Sequence, residues 1–267
     1  MEEWRKYDPD KMVVAFNVYR NGVVEVTRRG TPASTTPGIR SEIVKFTQRA
    51  RDKMLFTASA TEVIFKSMIT LTYPESFPID GKRVKMDLKV FRQRMVREYG
   101  CEILWFLEFQ KRGAPHFHLL TTVKEPNMSD RKKLAYMWAD VAARRPSPDD
   151  NLPAHERHFA EYAKIWRVHA HSRSWEAIRE VNGAVRYAAK YATKTRQKEV
   201  PEEYKDVGQF WGCSKLVRDT ARPIAVVDAN SRQIRDILEA EGHRVAEFDW
   251  LPRYIWGVEA VQKVDKT

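Results

Sequence analysis

Apolar and polar positions alternate along Val63 to Tyr73, with Ile69, Leu71 and Tyr73 on one side and Met68, Thr70 and Thr72 on the other. That period of two predicts a strand, which Pro74 ends. The period then lengthens: Leu88, Phe91, Met95 and Tyr99 recur at helical spacing, with Asp87 as the candidate N-cap. Two β-rich runs follow, Glu102 to Gln110 and His116 to Val123, joined by the turn-like Lys111-Arg112-Gly113-Ala114-Pro115, so an antiparallel hairpin is expected. Helical patterns from Ser129 to about Arg144 and around Phe159 to Ile165 precede an expected strand at Arg167 to His171, which leads into another helix.

Upstream, Asn21-Gly22 lies between runs rich in Val, Phe and Tyr, and predicts a hairpin over Met12 to Arg28. The stretch from Gly30 to Gly38 reads as a linker, and Ser41 can cap a helix carrying Ile43, Val44, Phe46 and Ala50 and ending near Met54. From Val63 onward the order strand, helix, strand, strand, helix, strand predicts an α+β domain. It is the split pattern of a ferredoxin-like or RRM-like antiparallel sheet, with helices packed on one face and an open active-site face. The expected organisation is an N-terminal hairpin and helix extension over 1–60, a core over 61–215, and a C-terminal extension over 216–267 packing on that core.

Charge narrows the partner. The 267 residues carry 47 Lys and Arg against 36 Asp and Glu, a net charge of +11, which favours a polyanion. No apolar run approaches the roughly 18 residues of a spanning helix, and the N-terminus lacks a signal-peptide pattern, so a soluble, cytoplasmic chain without a membrane partner is expected. Cys101 and Cys213 have no metal-ligand spacing and read as free thiols. Lys82, Arg83, Lys85, Lys89, Arg92, Arg94 and Arg97 make the second predicted helix strongly basic.

Two constellations carry candidate chemistry. His116 and His118, at i and i+2 on a strand, project to one face, and a hairpin partner can bring Glu108 beside them. Two imidazoles and a carboxylate with open positions suit a divalent metal, Mn²⁺ or Mg²⁺ rather than Zn²⁺, because phosphate chemistry wants a hard Lewis acid. Alone, such a pair is more often ordinary strand histidine. His169-Ala170-His171 repeats the spacing without the carboxylate hairpin and keeps that structural reading. In the second constellation, Tyr187, Lys190, Tyr191 and Lys194 share one helical sector with Arg186 and Arg179, opposite Ile178, Val181, Val185, Ala188, Ala189 and Ala192. A solvated face is the structural alternative. A phenol with pKa near ~10 is a poor nucleophile at neutral pH, so it needs nearby lysines and a polarised phosphate.

The order of Met68-Ile69-Thr70-Leu71-Thr72-Tyr73-Pro74, then Glu108 through His118, then the paired-tyrosine helix resembles HUH-superfamily rolling-circle replication initiators, the phage and plasmid Rep endonucleases of two-tyrosine type. Phe210-Trp211-Gly212 is also similar, and the resemblance runs from about Val63 to Gly212. Conjugative relaxases place the tyrosine before the histidines, and the small single-strand transposases are much shorter. The resemblance implies that Glu108, His116 and His118 bind the metal and that Tyr187 or Tyr191 forms a 5′-phosphotyrosine link on single-stranded or hairpin origin DNA. Lys190 and Lys194 would assist, Lys89, Arg92, Arg112 and Arg186 would contact DNA, and the protein would act as a monomer. No Gly-x-x-x-x-Gly-Lys-Ser/Thr stretch is present, so a separate host helicase and polymerase are expected. The alternative from another class is a non-catalytic DNA- or RNA-binding module on the same fold.

Overall fold

The computed structural model describes residues 45–142 except 75–76 and 125, together with 160, 163–166, 169, 174–179, 200–222 and 233. It also describes strands within 14–27 and 225–260. Two compact units result, one of Arg40–Ala58 with Val63–Arg218, the other of Met1–Ile39, Ser59–Glu62 and Asp219–Thr267.

In the smaller unit, β1 (Val14–Val18) pairs antiparallel with β2 (Val24–Thr27), as the Asn-Gly signal predicts. β1 also pairs with a strand from the far end of the chain, Ala225–Ala229. Both chain ends therefore contribute to one four-stranded sheet.

The larger unit is an α+β structure built on a five-stranded antiparallel sheet. Its elements are α1 (Gln48–Ala60), β3 (Ser67–Thr72), α2 (Gly81–Tyr99), β4 (Ile103–Phe109), β5 (Pro115–Thr121), α3 (Met128–Ala142), β6 (Trp175–Ala177), β7 (Trp211–Cys213) and α4 (Lys215–Thr220), with strand order β6-β3-β5-β4-β7. The hairpin turn closes through Gly113, whose N–H donates to the Gln110 carbonyl at 2.8 Å with φ +80°, a left-handed conformation that favours glycine.

One face of the sheet carries Ile69, Leu71, Tyr73, Trp105, Leu107, Phe117 and Leu119, packed against Val84, Leu88, Phe91 and Met95 of α2 and Leu134 and Trp138 of α3. The helical spacing on α2 is what turns those four residues inward. Trp138 Nε1 donates to the Thr72 carbonyl at 2.9 Å, so α3 holds the end of β3 by a directed bond as well as by packing.

Several expectations need correcting. The cap of α2 is Asp80, whose carboxylate accepts from the Lys82 N–H at 2.8 Å; Asp87 lies inside the helix, buried, paired with Arg83 at 2.8 Å and accepting from the Tyr73 hydroxyl at 3.0 Å. Gly81 permits this earlier start, because a Cβ there would sit 2.7 Å from Val207 Cα. α1 begins after Thr47, whose hydroxyl accepts from the Ala50 N–H at 3.2 Å, and it runs past Met54 to Ala60. The last expected strand is displaced from Arg167–His171 to Trp175–Ala177, with Trp175 Nε1 donating to Ser67 Oγ at 2.8 Å. His169 is helical and buried instead.

The second face is not wholly open. Met54 and Ala58 of α1 and Val217 of α4 cover Met68, Leu104, Phe106 and Leu120, because that end of the face is apolar and must be hidden. β7 has no counterpart among the expected strands; its Gly212 lies so close to Trp105 that a Cβ would meet the indole at 2.9 Å. Gly212→Ala should therefore lower stability by about 1–3 kcal/mol through overpacking. Urea denaturation checks this, and an unchanged midpoint would contradict the packing described.

Candidate functional site

Strand register builds the site row by row. On the second face, Thr72 of β3 pairs with His116 of β5, which pairs with Glu108 of β4; the next row is Thr70, His118 and Phe106, and the next Met68, Leu120 and Leu104. Residues two apart share a face, so the three rows pass from polar to apolar along the sheet. α1 covers the apolar end, and the imidazoles and carboxylate occupy the other.

Within the polar rows, His118 is buried and Glu108 nearly so, with His118 Nε2 and Glu108 Oε2 3.4 Å apart. The His116 ring stands edge-on to that of His118, centroids 4.6 Å apart, while Phe106 stacks on His118 at 5.0 Å. Each imidazole turns Nδ1 toward a β3 hydroxyl: Thr72 Oγ1 is 2.8 Å from His116 Nδ1, and Thr70 Oγ1 is 3.3 Å from His118 Nδ1. Two borderline imidazoles and one hard carboxylate fit a divalent cation in donor chemistry. The 3.4 Å separation of Glu108 and His118 is long for a charge-assisted N–H···O bond, about 2.7–2.9 Å. Among the described residues, no three His, Cys, Asp or Glu side chains form a finished metal-holding group.

The other predicted site residues are dispersed. Tyr187, Tyr191, Lys190, Lys194 and Arg186 lie outside the described residues. Ile178, expected on the same helix, instead follows β6 and donates its N–H to the Lys66 carbonyl at 2.8 Å. Lys89 and Arg92 belong to α2, which packs on the sheet face opposite the histidines. Lys89 is exposed, whereas Arg92 lies with Lys85 on the Trp105 indole, at 5.8 and 3.9 Å from the ring centre. Burial, and then the Arg92 charge, lower the Lys85 pKa to about 7. Arg112 donates to the carbonyls of Tyr73 and Pro74 and to Gln110 Oε1, so its guanidinium ties the hairpin turn to the end of β3.

Sequence reasoning missed the part His169 plays. Its Nδ1–H donates to the Ile165 carbonyl at 2.9 Å and its Nε2 accepts the Thr72 N–H at 3.2 Å, so a buried neutral imidazole fixes the backbone of the residue that contacts His116. Its structural reading as a core histidine agrees with this. Only the missing carboxylate hairpin hinted at it in the sequence.

Such a domain, a basic α+β unit with an imidazole–carboxylate row at the uncovered end of a sheet, has the makings of a nucleic-acid-directed protein. Residues 66–196 match the family model for replication-associated proteins of the ORF2 kind. Over that segment the chain belongs to this family of rolling-circle replication initiators; it is a replication-associated protein whose partner is DNA. No curated protein and no solved structure matches it. Among the described residues no helix is long and apolar enough to cross a membrane.

Burial lowers the His169 pKa to about 4. Because the unfolded state, with an imidazole pKa near ~6.5, takes up a proton that the fold refuses, stability from this residue is complete above pH ~6.5 and is lost as pH falls toward ~4. The stability advantage of the wild type over His169→Gln should narrow by on the order of 2 kcal/mol between pH 7 and pH 5. Denaturation at the two pH values measures it, and a constant gap would contradict the neutral buried imidazole.

Proposed function

We propose that this protein nicks single-stranded or hairpin origin DNA through a tyrosine and rejoins the ends, as a metal-dependent, site-specific endonuclease and strand transferase of rolling-circle replication. The observation that carries the reading is the cross-strand row of Glu108 and His116, with His118 3.4 Å from Glu108, inside the family-matched segment. Glu108, His116 and His118 would hold Mn²⁺ or Mg²⁺, which when bound supplies Lewis-acid polarisation of the scissile phosphate. The hydroxyl oxygen of Tyr187 or Tyr191 attacks phosphorus. The bond to the 3′-oxygen breaks as the new tyrosyl–phosphate bond forms, and the departing 3′-oxygen gains a proton to become a primer terminus. Lys190 or Lys194 manages the phenol proton or stabilises the developing charge. The 5′-phosphotyrosine link conserves the bond for rejoining, and the second tyrosine cleaves the regenerated origin.

Lys89, Arg92, Arg112 and Arg186 are the candidate backbone contacts, although Arg112 already holds the hairpin turn and Arg92 lies on Trp105. Opening and copying the duplex fall to a separate helicase and polymerase, and the protein acts as a monomer in the cytoplasm. The incomplete three-residue group among the described residues favours the second reading, a non-catalytic DNA- or RNA-binding module. That module would bind without metal and leave the strand intact.

Labelled circular single-stranded DNA incubated with Mn²⁺ and run on a denaturing gel tests both. The expected result is a protein–DNA adduct that chelator abolishes and that Tyr187→Phe combined with Tyr191→Phe removes. An adduct persisting in the double variant overturns the nucleophile assignment, and binding without cleavage favours the module.

A further inference from the structure

The threonines of β3 form a second row beside the histidines, and the register makes the two rows correspond. Thr72 faces His116 and Thr70 faces His118, each as a direct cross-strand partner, and each hydroxyl meets the Nδ1 of its partner, at 2.8 and 3.3 Å. The same nitrogen is engaged in both rings. The opposite nitrogen of His118, Nε2, is the one that faces Glu108.

An imidazole offers a lone pair on one nitrogen only when the other carries the proton, so whatever accepts the Nδ1 proton decides which atom can ligate a cation. The geometry points to Thr70 and Thr72 as positioning residues that accept the Nδ1 protons of His118 and His116 and thereby present Nε2 of both rings to a divalent cation. This rests on the reading of Glu108, His116 and His118 as the metal-binding group. The backbone of Thr72 is itself held from both sides, its N–H by His169 and its carbonyl by Trp138, so the hydroxyl is carried on a fixed strand end. Gln110 is the rival partner. Its Nε2 lies 3.4 Å from His116 Nδ1, beyond the usual N–H···acceptor range of about 2.7–3.2 Å, while Thr72 lies well within bonding distance.

Two measurements on the intact chain test the assignment. In the metal-free protein above pH ~8, where the imidazoles are neutral, ¹⁵N chemical shifts should show His116 as the Nδ1–H tautomer, and Thr72→Val should shift the population toward Nε2–H. Titration with Mn²⁺ alone, followed by the loss of the free-ion EPR signal, should give binding weakened by about ten- to a hundred-fold in Thr72→Val, as loss of an outer-shell partner typically costs. Thr70→Val should weaken it less, and Thr72→Ser, which keeps the hydroxyl, should restore it. A wild-type His116 already in the Nε2–H tautomer, or Thr72→Val binding Mn²⁺ as tightly as wild type, would overturn the proposal. His118→Ala separates the two readings. If it abolishes Mn²⁺ binding while Thr72→Val does not, only the positioning role fails; if wild type and His118→Ala behave alike, the metal group fails and the positioning role with it.

Discussion

The two-residue period of the pleated sheet is the constraint from which the candidate site follows. β3, β5 and β4 are neighbours in fixed register, so Thr72, His116 and Glu108 form one row and Thr70, His118 and Phe106 the next. A slip of one residue in β5 would send both histidines into the core beside α2 and bring Phe117 and Leu119 outward. Burial of Phe117 and Leu119 against α2 and α3 opposes that slip, so hydrophobic packing on one face sets the position of the polar groups on the other.

The second face then divides along its length. At one end Met68, Leu104 and Leu120 need cover, and α1 with α4 supplies it. At the other end Glu108 and His118 lie nearly buried among polar neighbours, where low dielectric strengthens electrostatic contacts and penalises an uncompensated carboxylate. A cation held there would offset that penalty. The basic helix α2 lies on the opposite face, with Arg83 and Arg94 committed to Asp87 and Asp140, so its charge contributes a diffuse attraction for DNA rather than a contact beside the histidines.

Much of this was legible in the sequence where the period of two was clean. Alternation in Ile69-Thr70-Leu71-Thr72 and in His116-Phe117-His118 assigns faces without any knowledge of partners, and the Gly113 turn fixes the hairpin. Caps were harder. Asp87 and Asp80 are equally plausible caps by composition, and only the close approach of Gly81 to Val207 selects the earlier one. Long-range pairings such as β7 on β4, or α1 on the second face, depend on contacts between residues more than a hundred positions or several elements apart, which no local pattern encodes. His169 shows the same limit: the hydrogen bond to Thr72 that gives it a task spans 97 positions.

The central claim is that strand register gathers Glu108, His116 and His118 into one divalent-cation site. Anomalous diffraction at the manganese edge from crystals of the whole chain grown with Mn²⁺ tests it most directly. A single peak at roughly 2.0–2.4 Å from the Glu108 carboxylate and from Nε2 of both histidines is the predicted result. Strong manganese peaks elsewhere, with none on this row, would contradict it.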